Sequence, residues 1–289
     1  MHTQGYCRKK VVTPAERKSL VKYAMTEHDA SLKRACKLLN ISRSVYQYKA
    51  KLTDDNKIKE ALKDLAQKHC RYGFKKMFQK IRQQGHRWNS KRVYRVYCEM
   101  GLNLRRKPKK RLPSREKIAL TQPARINMTW SMDYMCDALA SGKRFRTVNI
   151  IDDCNREAVG IKASISLPAK RVVEFLDWIA YQRGYPMQLR LDNGPENISK
   201  EMVTWAKKHN IHIHFIEPGK PAQNAYIERF NRTYREEVLD MHLFRNISDV
   251  QTITDEWLKE YNDERPHESL GNLTPKGYKE HLVSTSAMY

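Results

Sequence analysis

Three acidic residues in the second half of the chain have the types and spacing of a metal-dependent phosphodiester site. They are Asp133 in TWSMDYM, Asp192 in LRLDNGPE and Glu228 in NAYIERFNRTYR. Asp192 and Glu228 are separated by 35 residues (193 to 227). Both aspartates lie in segments that read as strands, and the glutamate lies in a predicted helix. Carboxylates that converge from two strands and a helix offer the oxygen ligands that two divalent ions need for in-line attack on a phosphodiester.

The choice of Asp133 as the first acid depends on its surroundings. It stands inside the apolar strand segment WSMDYM, where a carboxylate without a partner would be costly to bury. Asp137, Asp152 and Asp153 are alternatives for this position. The last two stand at a predicted strand end, where turn formation explains them.

The positive charge of the chain is concentrated in its first half. The 289 residues carry a formal net charge of +23. Residues 1–125 hold 34 Lys/Arg and 9 Asp/Glu, whereas residues 126–289 hold 21 and 23. A strongly basic segment in front of a nearly neutral one indicates a polyanionic partner, and nucleic acid is the first candidate.

Cysteine spacing and hydropathy exclude several other classes. The six cysteines form no Cys-x-x-Cys pair and have no histidine pair at zinc-finger spacing, so they are interpreted as reduced thiols of a cytoplasmic protein. The N-terminus has no apolar segment typical of a secretory signal. No apolar run approaches the ~18–20 residues of a spanning helix, which argues against a membrane partner.

Two small helical units are predicted before a basic linker. Residues 1–52 contain a helix starting at Thr13-Pro14, then a helix, a short turn and a second helix capped by Ser42, which is helix-turn-helix spacing. Either DNA recognition or a plain helical hairpin explains this pattern. Residues 103–125, with three prolines and dense charge, are interpreted as the linker.

Residues 53–102 repeat the helix-turn-helix theme with three predicted helices, the last one capped by Ser90. Lys91, Arg92 and Arg95 stand near the start of that last helix. They are candidate contacts to DNA phosphates, and a solvated basic face is the alternative.

From residue 126 to 289 the pattern changes to α/β. The order is three strands, helix, strand, helix, strand and a long helix over KPAQNAYIERFNRTYREEVL. This is the order of the ribonuclease H-like fold, in which the first and fourth strands are neighbours at the centre of the sheet. Asp133 and Asp192 are therefore expected to face each other.

Further candidate DNA contacts surround the predicted glutamate helix. Lys220, Gln223 and Asn224 precede it in a loop, where ordinary loop polarity is the alternative. Arg232 and Arg235 follow Glu228 by four and seven residues and share its helical face. A cation there would hold a DNA phosphate or pair with the acid of the preceding turn.

Several motifs resemble one transposase family across nearly the whole chain. WSMDYMCDAL, LRLDNGPE, KPAQNAYIERFNRTYREEVL and YNDERPHESLGNLTP are similar to the second-frame transposases of the IS-three insertion-sequence family. The segment RYGFKKMFQKIRQQGHRWNSKRVYRVYCEMGL resembles the upstream helix-turn-helix of that family.

The resemblance implies a retroviral-integrase-type catalytic core with Asp133, Asp192 and Glu228 as its DDE triad and Arg235 as the basic residue that follows. It implies two Mg²⁺ ions, for which Mn²⁺ substitutes, and double-stranded DNA partners, namely the terminal inverted repeats of an insertion element and a target. It further implies a homo-oligomer on DNA, a helix-turn-helix and leucine-zipper partner encoded in an upstream frame, and a bacterial cytoplasmic, nucleoid-associated location.

The function expected from these features is cleavage of element ends and transfer of the 3′-hydroxyl to DNA. A purely hydrolytic nuclease of the same fold and a non-catalytic DNA-binding regulator are the alternatives. The spacing of the three acids argues against the regulator, because DNA binding alone does not need them.

Overall fold

The computed structural model describes residues 13–48, 54–104, 120–194, 199–217 and 221–286. The chain forms two compact units that divide between Asn56 and Lys57. Most of the predicted linker and the candidate Lys220 lie outside the described residues.

The described part of the first unit, up to residue 48, contains three helices. They are α1 (Pro14–Glu27), α2 (Leu32–Leu38) and α3 (Arg43–Gln47). Thr13 and Glu16 cap α1 reciprocally, and the Ser42 side chain accepts a hydrogen bond from the backbone N–H of Val45. Asn40 has a φ of 50° in the turn between α2 and α3, a conformation that asparagine tolerates. The predicted helix, turn and helix are therefore present, and their binding to DNA stays a prediction.

The second unit begins with three helices around an apolar core. They are α4 (Asn56–Lys68), α5 (Phe74–Gln83) and α6 (Ser90–Glu99). The prediction that Ser90 caps α6 is wrong by one residue. Asn89 is the N-cap, and its side chain accepts from the backbone N–H of Lys91 at 2.8 Å. Asparagine and serine cap helices about equally well, so the sequence does not distinguish these adjacent positions.

A five-stranded sheet forms the centre of the second unit. Its strands are β1 (Thr129–Ala138), β2 (Arg144–Asp152), β3 (Ala158–Ser164), β4 (Gln188–Leu191) and β5 (His212–Phe215). Their order is β3-β2-β1-β4-β5. The first three strands are antiparallel neighbours, whereas β1 with β4 and β4 with β5 run parallel. The predicted adjacency of the first and fourth strands is confirmed.

Helices cover both faces of this sheet. Two of them, α7 (Ala169–Arg183) and α8 (Lys200–Lys208), pack on a core that includes Trp130 and Met132. On the other core lie α9 (Ala225–Glu237) and α10 (Ile247–Asp263), and α11 (Pro275–Ser286) follows. This mixed sheet between helical layers is the ribonuclease H-like fold expected from the sequence.

The predicted long helix around Glu228 is shorter than expected. A 3₁₀ turn at Pro221–Asn224 precedes α9, and another at Leu239–Met241 follows it. Short 3₁₀ turns are frequent at helix ends, and the polar-apolar pattern of the sequence continues through them. Glu228 therefore lies in the first turn of α9 rather than in the middle of a helix.

Candidate active site

Asp133 lies on the central strand β1, and two donors fix its carboxylate. One oxygen accepts from the backbone N–H of Tyr134 at 2.8 Å, and the other accepts from Nδ2 of Asn231 on α9 at 2.7 Å. The pKa of Asp133 is raised to about 6, chiefly by burial and also by the negative charges of Asp192 and Glu228, while the two hydrogen bonds act to lower it. A cation placed between these acids would relieve this electrostatic strain.

Asp192 follows the last residue of β4. Because β1 and β4 run parallel with Ser131 opposite Arg190, Asp133 and Asp192 extend in the same direction two residues further along. The Asp192 carboxylate accepts from the backbone N–H of Gly194 at 3.2 Å, which holds the chain in a turn directly after the strand.

Glu228 is exposed in the first turn of α9. The helix is anchored through its buried face, which carries Ile227, Phe230 and Tyr234. The adjacent Glu228 is thereby held near the sheet, and its charge acts on Asp133. The three predicted acids are thus electrostatic neighbours that come from β1, the end of β4 and the start of α9.

The donor chemistry of these acids fits a hard divalent cation. All three supply carboxylate oxygens, which Mg²⁺ prefers, and Asp133 interacts with both of the others. Within the described residues, no three His, Cys, Asp or Glu side chains are grouped closely enough to hold a single metal ion.

The alternative acids have structural roles. Asp152 and Asp153 are fully buried, Asp152 with Arg183 at 3.1 Å and Asp153 with Arg190 at 2.5 Å. Asp152 also accepts from the backbone N–H of Cys154, so the predicted turn function is correct but incomplete. The ion pairs were missed because their partners are 31 and 37 residues away along the chain.

The candidate DNA contacts have different surroundings. Lys91 and Arg232 are exposed, and Arg95 pairs with Glu99 at 2.6 Å. Arg92 is half-buried on α6. Arg235 donates to the backbone oxygen of Cys136 at 2.9 Å and lies 3.4 Å from the Asp137 carboxylate. Its bonds hold α9 against β1.

Gln223 and Asn224 are the two loop candidates that lie among the described residues, and their surroundings differ. Gln223 exchanges hydrogen bonds with Glu217, whose backbone N–H donates to it at 2.9 Å. Asn224 is 2% exposed, and its Oδ1 has no hydrogen-bond partner among the described residues. DNA contact remains a prediction for every one of these side chains.

The sequence prediction missed Asn231, which orients the first acid. Its Oδ1 accepts from Nδ2 of Asn149 on β2 at 2.7 Å while its own Nδ2 donates to Asp133. Both asparagines are buried. The available signal was the position of Asn231 one helical turn after Glu228, which places a polar side chain on the apolar face of α9.

Replacement of Asn231 by alanine should weaken metal-dependent activity without abolishing it. The change removes the donor that orients Asp133 and leaves Asn149 without its acceptor. Loss of such a supporting partner costs roughly 10–100-fold in metal affinity or activity. The measurement is the metal concentration that gives half-maximal cleavage. An unchanged metal requirement with equally reduced activity at all metal concentrations would contradict this positioning role.

Comparison with known protein families agrees with the fold. Residues 123–221 and residues 209–275 match two models described as an integrase core domain, and residues 53–111 match an HTH-like domain. Among the described residues, none of the helices is long and apolar enough to span a membrane.

Similar proteins come from insertion elements and retroviruses. An uncharacterized protein of insertion element IS476 from Xanthomonas euvesicatoria is 35% identical, over 94% of this chain and 79% of the relative. The putative transposase InsK for insertion sequence element IS150 of Escherichia coli is 25% identical, over 83% of this chain and 90% of the relative. The HTLV-2 integrase catalytic core domain in complex with magnesium is 15% identical with a TM-score of 0.42, over 52% of this chain and 94% of that one.

The ribonuclease H-like sheet and the matched integrase core define a DNA-transferring enzyme of the transposase and integrase class. Within that class, the chain belongs to the IS-three family of insertion-element transposases, as the sequence motifs predicted.

Proposed function

We propose that this transposase cuts the ends of an insertion element and joins the resulting 3′-hydroxyl to target DNA, with Asp133, Asp192 and Glu228 holding two Mg²⁺ ions. The observation that carries the proposal is the position of Asp133 on β1 and of Asp192 directly after the adjacent parallel strand β4, inside the matched integrase core. When bound, such ions activate an attacking oxygen and stabilise a leaving one.

The protein residues have separate tasks in this reaction. Asp133 interacts electrostatically with both other acids and would contribute to both metal sites, while Asp192 and Glu228 would each complete one site. Asn231 and the backbone N–H of Tyr134 hold the Asp133 carboxylate in one orientation. The attacking group is water in the cleavage step and the freed 3′-hydroxyl in the joining step, so no side chain has to form a bond to DNA.

The partners proposed for the chain follow from this activity. They are double-stranded DNA carrying the terminal inverted repeats, the target DNA, and further copies of the chain on that DNA. At least two copies are needed because two ends are joined in concert. A product of an upstream reading frame is a further proposed partner.

A strand-transfer assay with labelled element ends tests the reaction type. Joined products longer than the labelled substrate are expected from a transposase. Shortened products without any joining would favour the hydrolytic nuclease, and binding without cleavage would favour the regulator.

Mg²⁺ or Mn²⁺ should support cleavage and joining, whereas Ca²⁺ should permit DNA binding with little turnover. Carboxylate oxygens bind all three ions, but Ca²⁺ takes more ligands at longer, flexible distances. The measurements are product yield on denaturing gels and binding by fluorescence anisotropy in each metal. Product formed in excess EDTA at the Mg²⁺ rate would refute metal dependence.

A further inference from the structure

A second charged site is formed by a cleft of about 610 Å³. Its wall is formed by α5, the turn after β2, one face of α9 and the segment that follows α10. Each of these elements contributes basic residues to what we call the basic cleft: Lys75, Lys76, Arg156, Arg229 and Arg265.

Acidic residues balance only part of this charge. Lys75 pairs with Glu268 at 2.9 Å, and Arg265 pairs with Glu237. Among the described residues that line the cleft, Glu268 is the one acid. The lining is therefore strongly positive.

Two buried polar groups in the cleft have unused hydrogen-bonding capacity. Arg156 is 9% exposed and lies over the Tyr226 ring at 3.5 Å, and its Nη1 has no hydrogen-bond partner among the described residues. Nε2 of His267 is also buried and has no hydrogen-bond partner among the described residues. A buried guanidinium donor without an acceptor is costly, so it favours an anion at this place.

The pKa values of two side chains in the cleft are shifted in the direction that a positive electrostatic potential produces. The pKa of Lys76 is lowered to about 8 by burial and by the charges of Arg265 and Arg229. The pKa of His267 is lowered to about 3 by burial and by the same arginines together with Lys76 and Arg156. Both shifts disfavour the protonated, positively charged forms of Lys76 and His267. A negatively charged group would therefore be stabilised in the cleft.

We propose that the basic cleft binds the phosphodiester backbone of DNA, at a place distinct from the carboxylate site. The inference rests on the proposed function. A single small anion would meet only some of the cations, because they come from four separate elements, whereas a continuous backbone presents a charge every ~3.4 Å along each strand. Arg229 directly follows Glu228, and Lys76 belongs to the matched HTH-like domain. A strand in the cleft would thus connect the helical domain with the active site.

The test compares two double variants of the full chain that remove the same charge. Lys76→Gln with Arg229→Gln changes the cleft, and Lys207→Gln with Lys208→Gln changes exposed residues of α8 on the opposite face of the sheet. Affinity for an element-end duplex is measured in Ca²⁺ over a range of salt concentrations. The slope of log K against log salt should decrease in magnitude by about 2 for the cleft variant, about 1 per phosphate contact, and stay unchanged for the control. Equal slopes for the wild type and the cleft variant, or an equal loss in both variants, would overturn the proposal.

Further measurements separate the remaining outcomes. If the double variant does not fold, Arg229→Gln alone is used, because Arg229 is exposed, and its slope should decrease by about 1. Inorganic pyrophosphate that raises the wild-type melting temperature while the slopes stay equal would identify a small-anion site and overturn the proposal. Joining by the wild-type protein is assayed separately. If the wild type joins DNA but the wild type and the cleft variant have equal slopes, only the proposal about the cleft is refuted. A slope difference without any joining refutes the proposed reaction alone.

Discussion

Asp133→Asn, Asp192→Asn and Glu228→Gln should each remove cleavage and joining while leaving DNA affinity nearly unchanged. Each substitution removes the charge of a proposed metal ligand but leaves the basic first half of the chain intact. Metal stabilisation of transition-state charge is worth several kcal/mol, and ~4 kcal/mol corresponds to about a thousandfold in rate. Single-turnover joining rates and anisotropy titrations on the same duplex measure the two quantities.

Asp137→Asn is the matched control for these variants. Asp137 lies on the same strand as Asp133, four residues further, and its carboxylate is 3.4 Å from Arg235. Its replacement should leave the joining rate within a few-fold of wild type, because an acid paired with an arginine is not required as a ligand. Retained joining in a triad variant would refute the assignment of that residue. Loss of joining in the Asp137 variant alone would transfer the role of first acid to Asp137.

The adjacency of the strands that carry Asp133 and Asp192 was predictable because its signal lies in local patterns and in the order of the elements. Strand, strand and helix segments are recognisable from periodicity, and the strand order places Asp133 next to Asp192 once the fold is recognised. Asn231 was not predictable in the same way. An asparagine on a helix has no spacing rule, and its role depends on Asn149, which is 82 residues away in the chain.

The sequence also did not predict that the helical segment α4–α6 packs on the catalytic domain. Residues 53–102 were expected to form a separate domain, and that boundary is still a prediction. Yet α5 and the turn before it pair with acids of the C-terminal region. Lys80 lies 2.8 Å from Glu264, and His69 lies 3.2 Å from Glu260. Partners separated by 184 residues leave no local pattern in the sequence.

The buried Arg265 pairs with Glu237 and also contacts Tyr72 of the helical segment. Arg265 donates from Nη2 to Glu237 at 2.8 Å, and its guanidinium lies 5.1 Å from the Tyr72 ring and 5.6 Å from the Tyr261 ring. Trp257 donates to the same Glu237 carboxylate at 3.2 Å. Burial lowers the pKa of Arg265, but the hydrogen bonds and charge of Glu237 outweigh it, so the pKa of Arg265 is raised overall. Arg265 therefore remains charged inside the protein.

Arg265→Met should destabilise the second unit by about 3–5 kcal/mol, because it leaves the Glu237 carboxylate buried without its cation. The double variant Glu237→Leu with Arg265→Met should recover much of this loss, since apolar side chains can replace a buried ion pair. Urea unfolding followed by tryptophan fluorescence measures both, with Trp257 as a local probe.

Lys276→Met, which removes an exposed pair with Asp263, is the control and should change stability by less than ~1 kcal/mol. If Arg265→Met costs no more than this control, the pair does not hold the helical segment on the catalytic domain. If the double variant is less stable than Arg265→Met alone, the cost does not come from an uncompensated charge.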